Sequence, residues 1–217
     1  MIKLVPKLLW FGLALGVLVV SYHPVMELIR NGGLRRIGVG TVQLEFAEIH
    51  LRHVRGLQDQ GISESDQKIL LSRFDALADQ LGAASILWVD DKHPQQNASL
   101  RPLLNSLGVN IDLANSTEDA MKWRDQARYD VVITNLIRPN EHSAPAPCFS
   151  TPEPANAGCA LLKEIGGSRR GQWPWLLVYT GHFVEALGKP TYADGVATLP
   201  APLLHLILDA LARKEKE

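Results

Sequence analysis

Short apolar runs separated by polar turns dominate the chain from residue 84 onward. Strands are predicted at 86–89, 109–114, 129–134, 175–179 and 195–198. Helices are predicted at 100–107, 116–128, 157–165, 183–187 and 201–213. Because the strands are largely apolar without alternation, we expect a sheet that is covered on both faces. The alternation of strands and helices predicts a five-stranded, doubly wound parallel α/β domain over 84–217.

The most apolar stretch of the chain lies near the amino terminus, at residues 8–22, where no charged residue occurs. Fifteen residues of helix span about 22 Å, less than the roughly 30 Å of a bilayer core, but apolar residues on both flanks lengthen the stretch. Trp10 and Tyr22 suit the two membrane interfaces. We predict a transmembrane anchor within 1–26, with a cleaved signal peptide as the alternative.

Residues 27–83 are predicted to form a juxtamembrane linker and a helical stalk. Polar and apolar residues alternate over 41–46, which indicates a short strand, and a helix that continues to residue 54 fits nearly as well. A clearer helix covers 63–81, where Ser63 and Asp66 form a loose capping box.

The helix at 63–81 carries an apolar seam, formed by Leu70, Phe74, Leu77 and Leu81. Two interpretations remain open for this seam. It makes a short coiled-coil stalk that joins copies of the chain into a homo-oligomer, or it packs on the domain that follows.

Composition narrows the function classes. The chain has 217 residues, of which 46% are hydrophobic and 21% charged, as in globular proteins. Its 22 Lys and Arg residues are balanced by 23 Asp and Glu residues, which argues against a protein whose task is to bind nucleic acid. Two cysteines, Cys148 and Cys159, are too few for a disulfide-rich scaffold or a four-cysteine zinc site.

The residues that follow the predicted strands lie at their carboxyl ends, where ligands gather in parallel α/β sheets. Asp90 and Asp91 follow the first strand, Asn135 the third, Thr180 the fourth and Leu199 the fifth. The segments that contain these residues are ILWVDD, YDVVITN and VYTG, together with a proline after the fifth strand. In this order and spacing they resemble the receiver domain of bacterial two-component response regulators, over about 85–213.

The resemblance implies a role for each of these positions. In receiver domains an acidic pair holds Mg²⁺, an aspartate after the third strand accepts a phosphoryl group, a Thr or Ser follows the fourth strand, and a lysine precedes the proline. Carried over, Asp90 and Asp91 match the acidic pair and Thr180 the switch hydroxyl. The phosphoacceptor position holds Asn135 and the lysine position holds Leu199. An amide is not a nucleophile and a leucine carries no charge, so we predict a pseudo-receiver that cannot be phosphorylated.

Asp90 and Asp91 have two interpretations. They cap the turn that follows the first strand by accepting backbone N–H bonds, or they form a weak Mg²⁺ site. We expect no required cofactor. Thr180 is expected to be a hydrogen-bonding loop residue rather than a working switch. A proline-rich loop at 136–156 lies beside Asn135 and is predicted to cover the old site or to dock a partner.

These observations favour a non-enzymatic, membrane-anchored pseudo-receiver that acts as a protein-interaction or signalling module. The expected partner is another signalling protein, docked on the face that contains 183–187 and 201–211. The expected location is the bacterial inner membrane, in a single-pass arrangement with the receiver-like domain in the cytoplasm. The alternative is an enzyme, or a nucleotide- or metal-binding domain, that reuses the pocket at the strand ends.

Overall fold

A computed structural model describes seven parts of the chain: residues 39–55, 61–91, 99–138, 141, 157–169, 173–181 and 188–214. The chain divides into two compact units, Met1–Val42 and Gln43–Glu217. The second unit contains the sheet and its helices. Residues 43–83 therefore belong to the same compact unit as the strands.

The described residues contain a five-stranded parallel sheet in the order β2-β1-β3-β4-β5. Its strands are β1 (Ser85–Val89), β2 (Asn110–Ala114), β3 (Val131–Thr134), β4 (Trp175–Tyr179) and β5 (Gly195–Ala197). This is the flavodoxin-like order, in which the direction of winding reverses between β1 and β3. The predicted five-stranded parallel α/β fold is confirmed.

Seven helices lie in the described residues. They are α1 (Val39–His53), α2 (Glu64–Ala76), α3 (Ala78–Gly82), α4 (Leu100–Ser106), α5 (Thr117–Gln126), α6 (Ala157–Ser168) and α7 (Pro200–Lys214). The helix predicted at 183–187 lies outside the described residues.

The sheet is buried on both faces because successive side chains of a strand point to opposite sides. Ile86 and Trp88 of β1 join one core cluster with residues of α4 and α7. Leu87 and Val89 join a second cluster with residues of α5 and α6. Each face is thus covered by a layer of helices, which explains why the central strands are apolar throughout.

Helix α1 stands where a short strand was predicted at 41–46, so the strand is wrong and the helical alternative is confirmed. Residues Ala47, Leu51 and Val54 follow at spacings of four and three and are fully buried. Helical periodicity over the longer window therefore outweighs the local alternation at 41–46.

Helix α2 begins as expected, because the Ser63 side chain accepts a hydrogen bond from the backbone N–H of Asp66 at 3.1 Å. The apolar seam predicted over 63–81 continues from α2 into α3 and is not exposed. Leu70, Phe74 and Leu81 are buried in the same core cluster as residues of α7. The structure therefore shows the second interpretation of the seam, a helix packed on the domain, and these side chains are not available to join copies of the chain.

Helix α7 is consequently covered on two sides, by the sheet and by the preceding helices. Eight of its residues are buried: Pro200, Ala201, Leu203, Leu204, Ile207, Leu208, Ala210 and Leu211. The Arg73 guanidinium of α2 contacts Nδ1 of His205 at 2.8 Å and a carboxylate oxygen of Asp209 at 2.5 Å. Most of the docking face predicted at 201–211 is therefore occupied by the chain itself, and only the exposed residues of α7 are open to a partner.

The predicted localisation in the bacterial inner membrane is contradicted. Across the described parts of the chain, no helix combines the length and apolar character needed to cross a bilayer. The segment 8–22, which was predicted to be the anchor, lies outside the described residues.

Candidate functional site

The residues that were predicted to form the site all follow strands at the carboxyl edge of the sheet. Asp90 and Asp91 come directly after β1, and Asn135 directly after the adjacent β3. The backbone N–H of Asn135 donates to the carbonyl of Val89 at 3.3 Å, so the two strand ends lie side by side. Thr180 follows β4 and is 2% exposed.

Leu199 lies two residues beyond β5, immediately before α7, and is partly exposed. An aliphatic side chain supplies no positive charge there. The position that a lysine holds in the resembled family therefore contributes no cation to this edge.

Asn135 uses its side chain to shape the loop that leaves β3. Its Oδ1 atom accepts a hydrogen bond from the backbone N–H of Ile137 at 3.4 Å. Its carbonyl oxygen accepts from the Thr134 hydroxyl at 3.0 Å and from the Arg138 guanidinium at 3.3 Å. The amide is uncharged and has no nucleophilic oxygen, so its role in this structure is to hold the backbone.

The sequence interpretation missed Arg138, a buried charged residue that is 3% exposed. Each of the five N–H groups of its guanidinium has an acceptor. The acceptors are Glu141, the Thr134 hydroxyl, the Asn135 carbonyl, the Thr117 hydroxyl and the Ala157 carbonyl. A single side chain therefore joins the end of β3 to the first turns of α5 and α6.

Glu141 completes this network. Its side chain is 1% exposed and pairs with Nε of Arg138 at 3.0 Å. Its two carboxylate oxygens also accept from the backbone N–H of Thr117, at 3.1 and 3.0 Å. Thr117 is the first residue of α5, where a helix leaves an N–H without an internal partner and favours negative charge. The buried pair is therefore hydrogen-bonded on both sides.

The electrostatics of Arg138 connect it to the acidic pair. Burial lowers the pKa of the guanidinium, whereas Glu141, then Asp91 and Asp90, raise it. The guanidinium is the most basic side-chain group of proteins, so it stays protonated under these opposing influences. The carboxyl edge of the sheet thus contains a fixed positive charge that comes from the chain itself.

These residues do not fit a divalent cation site. Magnesium is held by carboxylate oxygens and water in octahedral geometry, and here an amide replaces the third carboxylate while a guanidinium lies within electrostatic reach. No group of three or more metal-ligating His, Cys, Asp or Glu side chains occurs within the described ranges. The capping interpretation of Asp90 and Asp91 stays a prediction.

The first turn of α6 packs tightly against the site. Gly158 donates its N–H to the carbonyl of Leu136 at 3.0 Å. A β-carbon on Gly158 would lie 2.3 Å from the Asn135 carbonyl oxygen and 2.6 Å from Cα of Leu136. The absence of a side chain is therefore what lets the helix approach the β3 loop this closely.

The next residue of α6 is Cys159, which is buried and disulfide-bonded. The sequence contains one other cysteine, Cys148, which lies outside the described residues. The loop 136–156 that was predicted to cover the site is described at 136–138 and at 141. These described positions include both members of the buried ion pair.

Searches of protein families and of curated proteins give no match to this sequence. Solved structures with a similar fold are receiver domains. A two-component response regulator from Clostridium difficile is 19% identical, covers 62% of this chain and 99% of its own, and has a TM-score of 0.46. A response regulator receiver domain protein from Clostridium thermocellum is 22% identical, over 61% of this chain and 97% of its own, with a TM-score of 0.44.

A signal receiver domain of an HD domain-containing protein from Pseudomonas fluorescens is 20% identical, over 61% of this chain and 90% of its own, with a TM-score of 0.45. The strand order and the parallel pairing of the sheet establish the fold.

Proposed function

We propose that the chain is a receiver-like domain that is not phosphorylated and that acts as a protein-interaction or signalling module. The observation that carries this proposal is the position of Asn135, which follows β3 beside the acidic pair and uses its amide as a backbone acceptor. A phosphoryl group needs an ionised carboxylate at that point.

Two further features support the same conclusion. Leu199 offers no cation to stabilise the charge on a transferring phosphoryl group. Asp91 and Asp90 lie close enough to raise the pKa of the Arg138 guanidinium, so the positive charge of Arg138 opposes a divalent cation at the acidic pair. Asn135 thus provides no nucleophile, Leu199 provides no cation, and Arg138 disfavours a bound metal ion.

The partner in this proposal is another signalling protein. On α7, the residues that remain exposed are Pro202, Asp209, Arg213 and Lys214. They form a mainly polar strip, unlike the apolar residues of the same helix that α2 covers. A partner that uses α7 would contact this strip, and charged residues there would govern the salt dependence of binding.

The test is incubation of the full chain with acetyl phosphate and Mg²⁺, followed by intact-mass measurement, with an ordinary receiver domain as the control for the reagent. We expect no phosphoryl adduct. A stable, hydroxylamine-sensitive adduct on the unaltered chain would overturn the proposal. The variant N135D restores only the carboxylate, and we expect it to remain far below the control receiver, because Leu199 and Arg138 are unchanged.

A further inference from the structure

The carboxylate of Glu141 is bound in the way that proteins bind an anionic ligand. One guanidinium N–H of Arg138 and the backbone N–H of Thr117 both point at it, at distances of 3.0 to 3.1 Å. A buried arginine and a helix amino terminus are each favourable to an anion, and here the two converge on one carboxylate.

The donors are held in place by contacts that do not involve Glu141. The four remaining N–H groups of Arg138 are bound by Thr134, Asn135, Thr117 and Ala157. The start of α5 is fixed separately, because the Ser116 hydroxyl caps the N–H of Asp119 at 3.1 Å. The pocket is therefore preorganised, and removing the Glu141 carboxylate would leave two aligned donors rather than a collapsed site.

The surrounding charges select the kind of anion. Asp91 and Asp90 also lie within electrostatic range of the Arg138 guanidinium, so a dianion in the pocket would be repelled more strongly than a monoanion. The acidic residues in the first turn of α5 are partly neutralised, since Lys122 pairs with Glu118 at 2.8 Å and with Asp119 at 3.6 Å. A monoanionic carboxylate fits this balance better than a phosphate.

We propose that Arg138 and the amino-terminal N–H of α5 form a carboxylate-binding pocket, that Glu141 fills it as an internal ligand, and that an external carboxylate binds there when Glu141 is absent. Arg138 also contacts the carbonyl of Asn135, but the ligand is held by a different N–H of its guanidinium and by α5, so the inference goes beyond the proposed function. Its ligand class is the carboxylate of an acidic side chain or of a small monocarboxylate.

Chemical rescue of the full-length variant Glu141→Ala tests the pocket. Thermal unfolding is measured in acetate and in chloride at equal ionic strength and pH 7, with phosphate as a third arm. We expect acetate to raise the Tm of this variant by about 2–8 °C more than that of the unaltered chain. Phosphate is expected to give a smaller rise. If the variant folds only in acetate, the recovery of folded protein replaces the Tm as the readout and supports the proposal equally.

Two control variants separate the pocket from general salt effects. Glu141→Gln keeps the shape of the side chain and fills the space, so acetate should add nothing beyond its effect on the unaltered chain. The double variant R138M/E141A removes the guanidinium and should lose the rescue. Equal stabilisation of Glu141→Ala and Glu141→Gln by acetate, or no stabilisation of Glu141→Ala, would overturn the proposal. Phosphorylation of the unaltered chain would contradict the proposed function and leave these outcomes unaffected.

Discussion

At the scale of single residues, Arg138 organises the carboxyl edge of the sheet. Its guanidinium is desolvated, and such burial is tolerated only when every donor is paired. All five of its N–H groups are paired, and Glu141 supplies the compensating charge. Removing one member of such a pair typically costs about 3–5 kcal/mol, because the other charge is left buried without its partner. The pair therefore fixes the start of the loop that leaves β3.

Part of this site could be predicted from the sequence, but its buried arginine, Arg138, could not. Asp90, Asp91, Asn135 and Thr180 were placed at one edge because the carboxyl ends of parallel strands always meet there. Arg138 gives no comparable signal, since a single arginine in a loop is usually solvated and an acidic residue three positions later is usually a weak surface pair. Its burial depends on Thr117 and on Ala157, which are distant along the chain.

The close approach of α6 to the site leads to a stability prediction. The substitution G158A would place a β-carbon 2.3 Å from the Asn135 carbonyl oxygen, and the backbone has to move to relieve the overlap. We expect it to lower the free energy of unfolding by about 1–3 kcal/mol, as overpacking does. Urea denaturation monitored by circular dichroism measures the change.

Gly167 of the same helix is the matched control, because nothing lies within 4 Å of its would-be β-carbon. There G167A should stabilise the helix by about 0.5–1 kcal/mol through helix propensity. If both substitutions shifted stability in the same direction, close packing at Gly158 would not be the cause.

Tyr129 gives a prediction about pH. Burial, followed by the hydrogen bond to Asp112 and its charge, raises the pKa of the phenol above its ordinary value of 10.0, and the hydroxyl lies 2.9 Å from a carboxylate oxygen of Asp112. As the pH rises, the phenol of Tyr129 therefore loses its proton in the unfolded chain before it does so in the folded protein. The stabilisation of the folded state by Tyr129 is complete below about pH 10. It is lost as the pH rises from there toward the pKa of the phenol in the folded protein.

The measurement compares the unaltered chain with Y129F in thermal or urea unfolding between pH 8 and 11.5. We expect Y129F to be less stable by about 0.5–1.5 kcal/mol at pH 8, and the difference should shrink above pH 10. Y192F is the control, because Tyr192 is 42% exposed. A difference between the unaltered chain and Y129F that stayed constant across this range would show that the phenol does not titrate as described.

At the scale of elements, the helices before the sheet show where sequence patterns are ambiguous. Residues 41–46 alternate as a strand does, but the buried residues Ala47, Leu51 and Val54 have helical spacing. The seam of α2 was compatible with self-association and with packing on the domain, because both require the same apolar spacing. Only the position of α7 decides between them, and that contact joins distant parts of the sequence.

The packing of α2 predicts how two of its apolar residues differ. Phe74 is 1% exposed in the core cluster, whereas Ile69 is 51% exposed on the same helix. We expect F74A to lower the free energy of unfolding by about 3–5 kcal/mol and I69A to change it by less than about 0.5 kcal/mol. Chemical denaturation of the two variants measures the difference, and a mild effect of F74A would mean that α2 is only loosely attached.

At the scale of the whole molecule, the compact unit begins at Gln43, ahead of the first strand. Its core clusters include residues of α1, α2 and α3 beside residues of α4 and α7. The sheet and its covering helices could be predicted from local patterns. The inclusion of 43–83 in the same unit could not be predicted in this way, because it depends on contacts between elements that are far apart along the chain.

This organisation predicts the behaviour of shortened chains. A chain that starts at Ser85 lacks the residues that cover the outer side of α7, including Leu70 and Phe74. We expect it to aggregate or to unfold at least 10 °C lower than a chain that starts at Gln43, because several large apolar side chains lose their cover at about 2–5 kcal/mol each. Size-exclusion chromatography and thermal unfolding of the two chains make the comparison. Equal stability would show that 43–83 is dispensable.

The contact between α2 and α7 also has a consequence for the chain during its synthesis. Arg73 and His205 meet in the folded protein but are separated by 132 positions in the sequence. At ordinary translation speeds of about 5–20 residues per second, the ribosome needs roughly 7–26 s to travel from one to the other. During that interval the nascent helix has no C-terminal helix to pack against, and its apolar side is accessible to chaperones and to neighbouring polysomal chains.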